Sequence, residues 1–233
     1  MAEHMGWGDP PRRPRADLRE VHVWRAMLAS LAGRARLGAA LSGDERERAD
    51  AFHQTEYRER YLATRGLLRA ILGLYIDVAP EVFTFTYGAR GKPAIDRPRS
   101  ARGLRFNVSH SGGIVLFAVG LDREVGVDVE HLRPIGALEI ARRFFQPDEA
   151  AALEPLAGAE RDRAFFMLWT RKEAVLKTSG EGIGGLETVG LPPAEHRLLD
   201  LEPDAGYVGA LAAQGADWIP RRWDANRVRW DDE

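Results

Sequence analysis

The chain has 233 residues, 45% of them hydrophobic and 29% charged, which is enough to bury a core in one large domain or two small ones. Its formal net charge of −2 argues against nucleic acid as a partner, because no overall basic field would attract a polyanion. The absence of cysteine excludes disulfides and a cysteine nucleophile. No apolar run is long enough to span a membrane. We therefore expect a cytoplasmic protein.

The sequence of the N-terminal half indicates a long helical region between strands. Residues 1–17 contain no signal-peptide core and predict a mobile tail. Ser42 or Asp44 is placed to cap a helical region from Glu45 to Leu74. Strands are predicted where β-branched and aromatic residues cluster or alternate, at Val21–Trp24, Val82–Tyr87, Phe106–Val108 and Ile114–Val119.

The C-terminal half predicts further helices and strands. The turn Gly120–Glu124 is predicted to join the preceding strand to Val125–Glu130, so that the two form a hairpin. Helices are predicted at Leu138–Phe145, from Pro147, and at Arg161–Thr178, where Gly180 and Gly182 end the last of them. Strands His196–Leu201 and Tyr207–Ala212 follow, and residues 217–233 show no clear period. Connections by hairpins rather than βαβ units favour an α+β fold with antiparallel sheet.

Two carboxylates lie on one face of the strand Val125–Glu130. Alternate side chains of a strand share a face, so Asp128 and Glu130 point away from the intervening valines, roughly 7 Å apart at their backbones. Such a pair suits an oxygen-seeking cation, and Mg²⁺ is the natural candidate. A half-exposed strand with a solvated acidic face is the competing interpretation, and the pair alone favours it.

The predicted helix Arg161–Thr178 carries a second charged pair. Glu173 and Lys177 are four residues apart and therefore share one face, close to the apolar Trp169 and Leu176. In one interpretation they form an ordinary surface ion pair. In the other, Glu173 completes the carboxylate cluster and Lys177 neutralises phosphate charge. The spacing leaves both open.

The segment Ser109–Gly113 has the composition of a weak anion-binding loop. Small residues let backbone N–H groups approach an anion, and Ser109 and His110 add side-chain donors. Arg90 and Lys92 flank a glycine in a predicted turn and could hold another phosphate, although a solvated turn is favoured for them alone. A nucleophile elbow and a Walker motif are absent, and the six histidines show no ligand-like spacing.

Five features occur in a defined order: Arg48, Gly91–Pro93, Phe106–Gly112, Gly126–Glu130 and Trp169-x-x-Lys172-Glu173-Ala174-x-x-Lys177. Their order and spacing resemble the 4′-phosphopantetheinyl transferase superfamily. The length of the chain is similar to the surfactin-synthetase-activating (Sfp-like) branch of that superfamily. The resemblance covers roughly residues 40–190.

The resemblance implies two similar α+β subdomains in a pseudo-twofold arrangement, with coenzyme A bound between them. We assign residues 18–119 to the first, 120–216 with the metal site to the second, and 1–17 and 217–233 to tails. It implies a monomeric enzyme that transfers the 4′-phosphopantetheine arm of coenzyme A to a serine of an acyl or peptidyl carrier protein. Adenosine 3′,5′-bisphosphate would be released, with Mg²⁺ as cofactor and Mn²⁺ as a substitute.

The resemblance also implies roles for individual residues. Glu173 and Lys177 would be catalytic, and whether Glu173 deprotonates the serine or only holds the metal stays open. The metal ligands would be Asp128, Glu130 and Glu173. Coenzyme A would be bound by Arg48, Arg90, Lys92, Pro93, Ser109, His110, Asp128 and Lys177. Some relatives carry a lysine at the position of Glu45, so the contact with the 3′-phosphate is less certain here.

Two other classes of function compete with this interpretation. A non-catalytic coenzyme A or nucleotide binder of the same fold would not need the complete acidic set. A metal-dependent phosphohydrolase would be expected to carry dense His and Asp clusters, which the sequence lacks. Carrier proteins are acidic, so the segment Arg142, Arg143, Phe144 and Phe145 is a candidate for docking them. A packed amphipathic helix explains its two phenylalanines equally well.

Overall fold

The computed structural model describes residues 6–30, 34–180, 183–191 and 195–228. The strands are β1 (Glu20–Met27), β2 (Thr84–Tyr87), β3 (Pro93–Arg97), β4 (Leu104–Ser111), β5 (Ile114–Leu121), β6 (Val125–His131), β7 (His196–Leu201), β8 (Tyr207–Gln214) and β9 (Ile219–Asp224). The α-helices are α1 (Arg34–Ala39), α2 (Gly43–Asp50), α3 (Thr55–Ile76), α4 (Ala137–Phe144), α5 (Pro147–Ala151) and α6 (Gly158–Ser179). No helix in these ranges is long and apolar enough to cross a membrane. Gly182 and the ends of both predicted tails lie outside the described residues.

The first sheet has the strand order β4-β5-β1-β9. Strand β1 is antiparallel to β5 and parallel to β9. Helix α3 packs on this sheet because Leu67, Leu68 and Ile71 recur at helical spacing and form one apolar face. These residues share a core with Trp24 of β1 and Phe117 of β5.

The second sheet has the order β6-β8-β7, and all of its pairs are antiparallel. Helix α6 packs across β6 and β8. Gly126 permits this contact, because a Cβ atom there would lie 2.0 Å from the carbonyl oxygen of Ala174. The close packing places residues 173 and 177 of α6 over the acidic strand.

The predicted α+β class is confirmed. Each half of the chain combines a mainly antiparallel sheet with one helix of 22 residues, α3 or α6. A separate two-stranded pair, β2 with β3, stands beside the first sheet. Helix α5 begins at Pro147, and Gly180 ends α6 in the left-handed conformation, as predicted.

Two predictions about local connections were wrong. Strands β5 and β6 do not form a hairpin, because β5 pairs with β4 and β1 whereas β6 pairs with β8. The helical region after Ser42 is two helices, α2 and α3, rather than one. Glu45 of α2 bonds to Arg65 of α3, and in one continuous helix these residues would be about 30 Å apart.

The segment predicted as a C-terminal tail contains β9, an edge strand of the first sheet. Its Pro220 and its charged residues are typical of an edge, where one row of backbone groups needs no partner. Gly8, in the predicted N-terminal tail, exchanges two backbone hydrogen bonds with Arg222 and Asp224. Parts of both predicted tails are therefore attached to the first sheet.

Candidate active site

Strands β4 and β6 lie side by side, although they belong to different sheets. Alternate residues of β4 share one face, and their side chains bond to β6. The Asn107 Oδ1 accepts from the Val127 N–H at 2.9 Å, the Ser109 hydroxyl donates to Asp128 Oδ1 at 2.7 Å, and the Ser111 hydroxyl donates to Glu130 Oε2 at 2.9 Å. We call this row of bonds the β4–β6 seam. It fixes both carboxylates of the predicted acidic strand.

Asp128 is buried, with 4% of its surface exposed. Its Oδ1 accepts from Ser109 and also from Lys177 Nζ, which lies 2.6 Å away. The other oxygen, Oδ2, is buried and has no hydrogen-bond partner among the described residues. A buried acceptor without a partner is costly, so this atom is free to take a ligand.

Glu173 is also buried, and its Oε1 has no hydrogen-bond partner within the described chain. Burial raises the pKa of the Glu173 carboxyl, and the negative charges of Asp128 and Glu130 raise it further, against the opposing effect of Lys177. Lys177 bonds across to Asp128 instead, and no Glu173–Lys177 ion pair is found in the described ranges. The interpretation as an ordinary surface ion pair is therefore wrong.

The donor set of this region fits a hard divalent cation. It offers carboxylate oxygens from two β6 residues and one α6 residue, and two of those oxygens are buried without partners. In the described part of the chain, however, no three His, Cys, Asp or Glu side chains converge closely enough to hold a metal ion by themselves. Oxygen atoms of a substrate or water would have to complete the coordination of a cation here.

His110 lies at an exposed position on β4, one residue from the seam. Desolvation by surrounding protein lowers the pKa of His110, and the positive charges of Arg60 and Lys177 lower it further. The ring is therefore neutral at neutral pH, and it would act as a hydrogen-bond donor rather than as a cation. Arg60 of α3, which no sequence pattern indicated, is therefore a charged neighbour of His110.

A cleft of about 1450 Å³ opens between the β2–β3 pair, the start of β4 and the C-terminal end of α6. Its lining carries the cationic side chains Arg90, Lys92, Arg99, Arg102 and Arg105, together with Pro93, Asp96 and Glu124. Lys92 Nζ donates to Glu124 at 2.7 Å and to the carbonyl of Thr178 at 2.5 Å. Thr178 also lines the cleft and follows Lys177 in the chain, so the cleft reaches the edge of the acidic cluster.

Apart from Arg48, the predicted site residues fall into two groups. Arg90, Lys92 and Pro93 line the cleft. The second group lies outside the described lining of the cleft. We call it the acidic cluster, and it consists of Asp128, Glu130 and Glu173 with the neighbouring Ser109, His110 and Lys177.

Arg48 lies apart from both groups, exposed in the last turn of α2. Glu45, one turn earlier, is buried and binds Arg65 and Arg69 of α3 at 2.7 Å each. Its Oε2 also accepts from the Ser42 backbone and hydroxyl at the start of α2. Glu45 thus holds two helices together, which is incompatible with a lysine at this position.

Several residues that the structure places at the site were not predicted from the sequence. Arg105, Asn107 and Ser111 alternate along β4 with Ser109, so a strand period extended over 105–111 would have found them. Lys172, beside Glu173 in the sequence, points away from the site: it is fully buried, donates to the carbonyls of Leu186 and Val189, and lies 2.8 Å from Glu149. No local pattern distinguishes such a lysine from an exposed one.

The residues of the segment proposed for carrier docking differ in their exposure to solvent. Arg142 and Arg143 are exposed on α4, and Arg142 pairs with Glu154 at 2.7 Å. Phe145 is buried against Phe165, so it belongs to the core. Only the two arginines and the partly buried Phe144 are available at the surface.

Comparison with known proteins gives one consistent result. Residues 124–223 match the 4′-phosphopantetheinyl transferase superfamily, and residues 24–121 match a 4′-phosphopantetheinyl transferase N-terminal domain family. The chain is 42% identical to the 4′-phosphopantetheinyl transferase HetI of Nostoc sp., over 88% of this chain and 92% of the relative. It is 34% identical to a phosphopantetheinyl transferase of Thraustochytrium sp., over 78% of this chain and 70% of that protein. The 4′-phosphopantetheinyl transferase Sfp of Bacillus subtilis is 29% identical, over 76% of this chain and 84% of its own length. This chain therefore belongs to the 4′-phosphopantetheinyl transferase superfamily of enzymes.

Proposed function

We propose that the protein transfers the 4′-phosphopantetheine arm of coenzyme A to a serine of an acyl or peptidyl carrier protein, in a Mg²⁺-dependent reaction. The observation that carries this proposal is the position of Lys177. It lies beside Asp128 and Ser109 of the acidic cluster, and the next residue lines the cationic cleft. One side chain can therefore act on a phosphate bound between the two regions.

The cationic cleft is the proposed binding site for the nucleotide of coenzyme A. That nucleotide carries a 3′-phosphate and a pyrophosphate, and five cationic side chains surround the cleft. Arg90, Lys92 and Pro93 keep their proposed roles there. Arg48 is proposed to contact the nucleotide from outside the described lining of the cleft. Glu45 forms ion pairs with Arg65 and Arg69. We therefore expect the cleft arginines to supply most of the charge that neutralises the phosphates.

Asp128, Glu130 and Glu173 are the proposed ligands of the divalent cation, with Mn²⁺ as a substitute for Mg²⁺. A bound Mg²⁺ would neutralise pyrophosphate charge and hold the phosphate oxygens in place. The buried Asp128 Oδ2 and Glu173 Oε1 are the atoms of this chain best suited to it. Substrate phosphate oxygens and water would complete the coordination.

The transfer breaks one bond to the β-phosphorus and forms another. The carrier serine oxygen attacks, its proton leaves, and adenosine 3′,5′-bisphosphate departs with the negative charge. Glu173 is the carboxylate that we assign to accept the proton, directly or through water, in addition to its proposed role in holding the metal. Lys177 and His110 would donate to the phosphate oxygens on which charge develops.

The carrier protein would approach the acidic cluster from the outside. The exposed Arg142 and Arg143 are proposed to contact its acidic surface, whereas Phe145 is already buried. We further propose that the enzyme acts as a monomer in the cytoplasm. Light scattering of the purified protein tests the oligomeric state.

The decisive experiment is a mass measurement on several purified apo carrier proteins, incubated with the enzyme, coenzyme A and Mg²⁺. We expect at least one carrier to gain the phosphopantetheine arm and expect chelation of Mg²⁺ to stop the reaction. Glu173→Gln should nearly abolish transfer while coenzyme A binding by calorimetry stays measurable. Glu160→Gln, an exposed glutamate in the first turn of the same helix, is the matched control and should transfer normally.

The alternative function is coenzyme A binding without catalysis. It would be supported if coenzyme A binds and no carrier gains the arm. Near-normal transfer by Glu173→Gln would leave the reaction in place but remove Glu173 from its assigned role.

A further inference from the structure

The two carboxylates of β6 are held in the same way. Asp128 Oδ1 accepts from a serine hydroxyl and from the cation of Lys177. Glu130 Oε2 likewise accepts from the Ser111 hydroxyl at 2.9 Å and from Arg133 at 3.1 Å. In both residues one oxygen takes two donors, and no hydrogen bond within the described chain reaches the other oxygen.

The hydrogen of the Ser111 hydroxyl has a defined direction. Its Oγ accepts a hydrogen bond from the backbone N–H of His131 at 3.1 Å. A hydroxyl carries a single hydrogen, and the contact with His131 does not use it. That hydrogen therefore goes to Glu130 Oε2, which lies 2.9 Å away. The hydroxyl connects the backbone of β6 to the side chain of the preceding residue.

The end of the Ser109–Gly113 segment is engaged in contacts within the protein rather than in anion binding. The Ser111 hydroxyl is taken up by Glu130 and His131. The Gly113 N–H donates to the Tyr207 hydroxyl at 3.2 Å, so this donor is also engaged. The Ser111 hydroxyl and the Gly113 N–H therefore bond to protein groups, as the Ser109 hydroxyl does to Asp128, and His110 is the side-chain donor of the segment left for an anion.

We propose that Ser111 is a positioning residue for the metal site: with Arg133 it fixes Oε2 of Glu130, so that Oε1 is the atom presented to the divalent cation. The proposal rests on the metal-dependent function proposed above and assigns no contact between Ser111 and the substrates. The physical effect is that of an outer hydrogen bond that orients a metal-binding carboxylate. Loss of such a bond typically weakens metal affinity by about 10- to 100-fold.

The test compares two variants of equal shape, Ser111→Thr and Ser111→Val, in the full chain. Mn²⁺ is titrated into each protein with coenzyme A present, and free Mn²⁺ is measured by electron paramagnetic resonance. We expect Ser111→Val to bind Mn²⁺ about tenfold more weakly than the wild type. Ser111→Thr keeps the hydroxyl and should bind Mn²⁺ nearly as tightly as the wild type.

Thr84→Val is the matched control. Thr84 is exposed on β2, and its hydroxyl also donates to a carboxylate, Asp96, at 3.1 Å. Its removal should leave Mn²⁺ affinity unchanged. If Ser111→Val is too unstable to purify, Ser111→Ala takes its place in the comparison with Ser111→Thr.

Each outcome separates this proposal from the proposed function. Wild-type Mn²⁺ affinity in Ser111→Val, with only a lower Tm, would show a purely structural role and overturn the positioning role alone. A wild type that binds Mn²⁺ but modifies no carrier would contradict the transferase and leave the comparison of variants valid. A wild type that does not bind Mn²⁺ would contradict both.

Discussion

Lys177 and Glu173 are one helical turn apart, yet their side chains interact with different partners. The sequence spacing correctly places them on one face of α6. It cannot show that Lys177 bonds to Asp128, because that contact depends on how α6 packs over β6. The buried, unpartnered oxygen of Glu173 follows from the same packing.

Glu173→Gln is expected to stabilise the protein at neutral pH while it impairs transfer. The folded-state pKa of Glu173 is raised above the ordinary value of 4.5, so the folded chain holds this proton more tightly than the unfolded chain. The free energy of unfolding therefore falls as pH rises between the two pKa values, and it stays lower above them. Glutamine avoids the buried unpartnered charge, a gain of about 1 kcal/mol or 2–4 °C in Tm at pH 7.

Thermal unfolding of the metal-free protein at pH 7 and at pH 4.5 checks this expectation. The advantage of the glutamine variant should shrink at the lower pH, where the wild-type carboxyl is protonated more fully. Glu160→Gln, on the exposed start of α6, should show no such pH-dependent gain. A glutamine variant that is less stable than the wild type at pH 7 would contradict the argument.

Glu45→Lys is expected to unfold the protein rather than to improve coenzyme A binding. The substitution would place a third cation beside Arg65 and Arg69, in a site where Glu45 is 2% exposed. Breaking a buried ion pair costs about 3–5 kcal/mol. Urea unfolding measures the loss, and Glu47→Lys, an exposed change on the same helix, should have little effect. A stable Glu45→Lys protein with tighter coenzyme A binding would show that the helix contact is dispensable.

At the scale of the elements, the predicted strands were largely found, whereas their partners were not predicted. The alternation of Val125–Glu130 correctly places Asp128 and Glu130 opposite the buried valines. Nothing in that alternation distinguishes β5 from β8 as a partner, because both are apolar over most of their length. Chain proximity favoured β5, and the packing of β6 under α6 favours β8 instead.

Gly126→Ala is expected to separate β6 from α6 and to lower stability by about 3 kcal/mol. The new Cβ would meet the Ala174 carbonyl at 2.0 Å, which neither backbone can avoid without moving. Urea unfolding and the carrier assay should both detect the change. Gly38→Ala, in α1, meets no atom within 4 Å and should be neutral or slightly stabilising. Equal stability of the Gly126 variant and the wild type would refute the packing argument.

At the scale of the whole molecule, the site lies where the two sheets meet. Ser109 belongs to the first sheet, Asp128 to the second and Glu173 to the helix that covers the second. The sequence resemblance was sufficient to place these residues together. The arrangement of the sheets was less predictable, because β9 is a polar edge strand whose signal is weak without its partner.

The parallel pairing of β1 with β9 has a consequence for the order of folding during synthesis. Glu20 of β1 meets Ile219 of β9, so the pair joins nearly opposite ends of the chain. On the ribosome, β1 can meet β5 after about half of the chain has emerged, but its other edge stays open until residues 219–224 are released. Chaperones that cover unpaired strand edges would therefore have a natural target in β1 during the synthesis of the residues between β5 and β9.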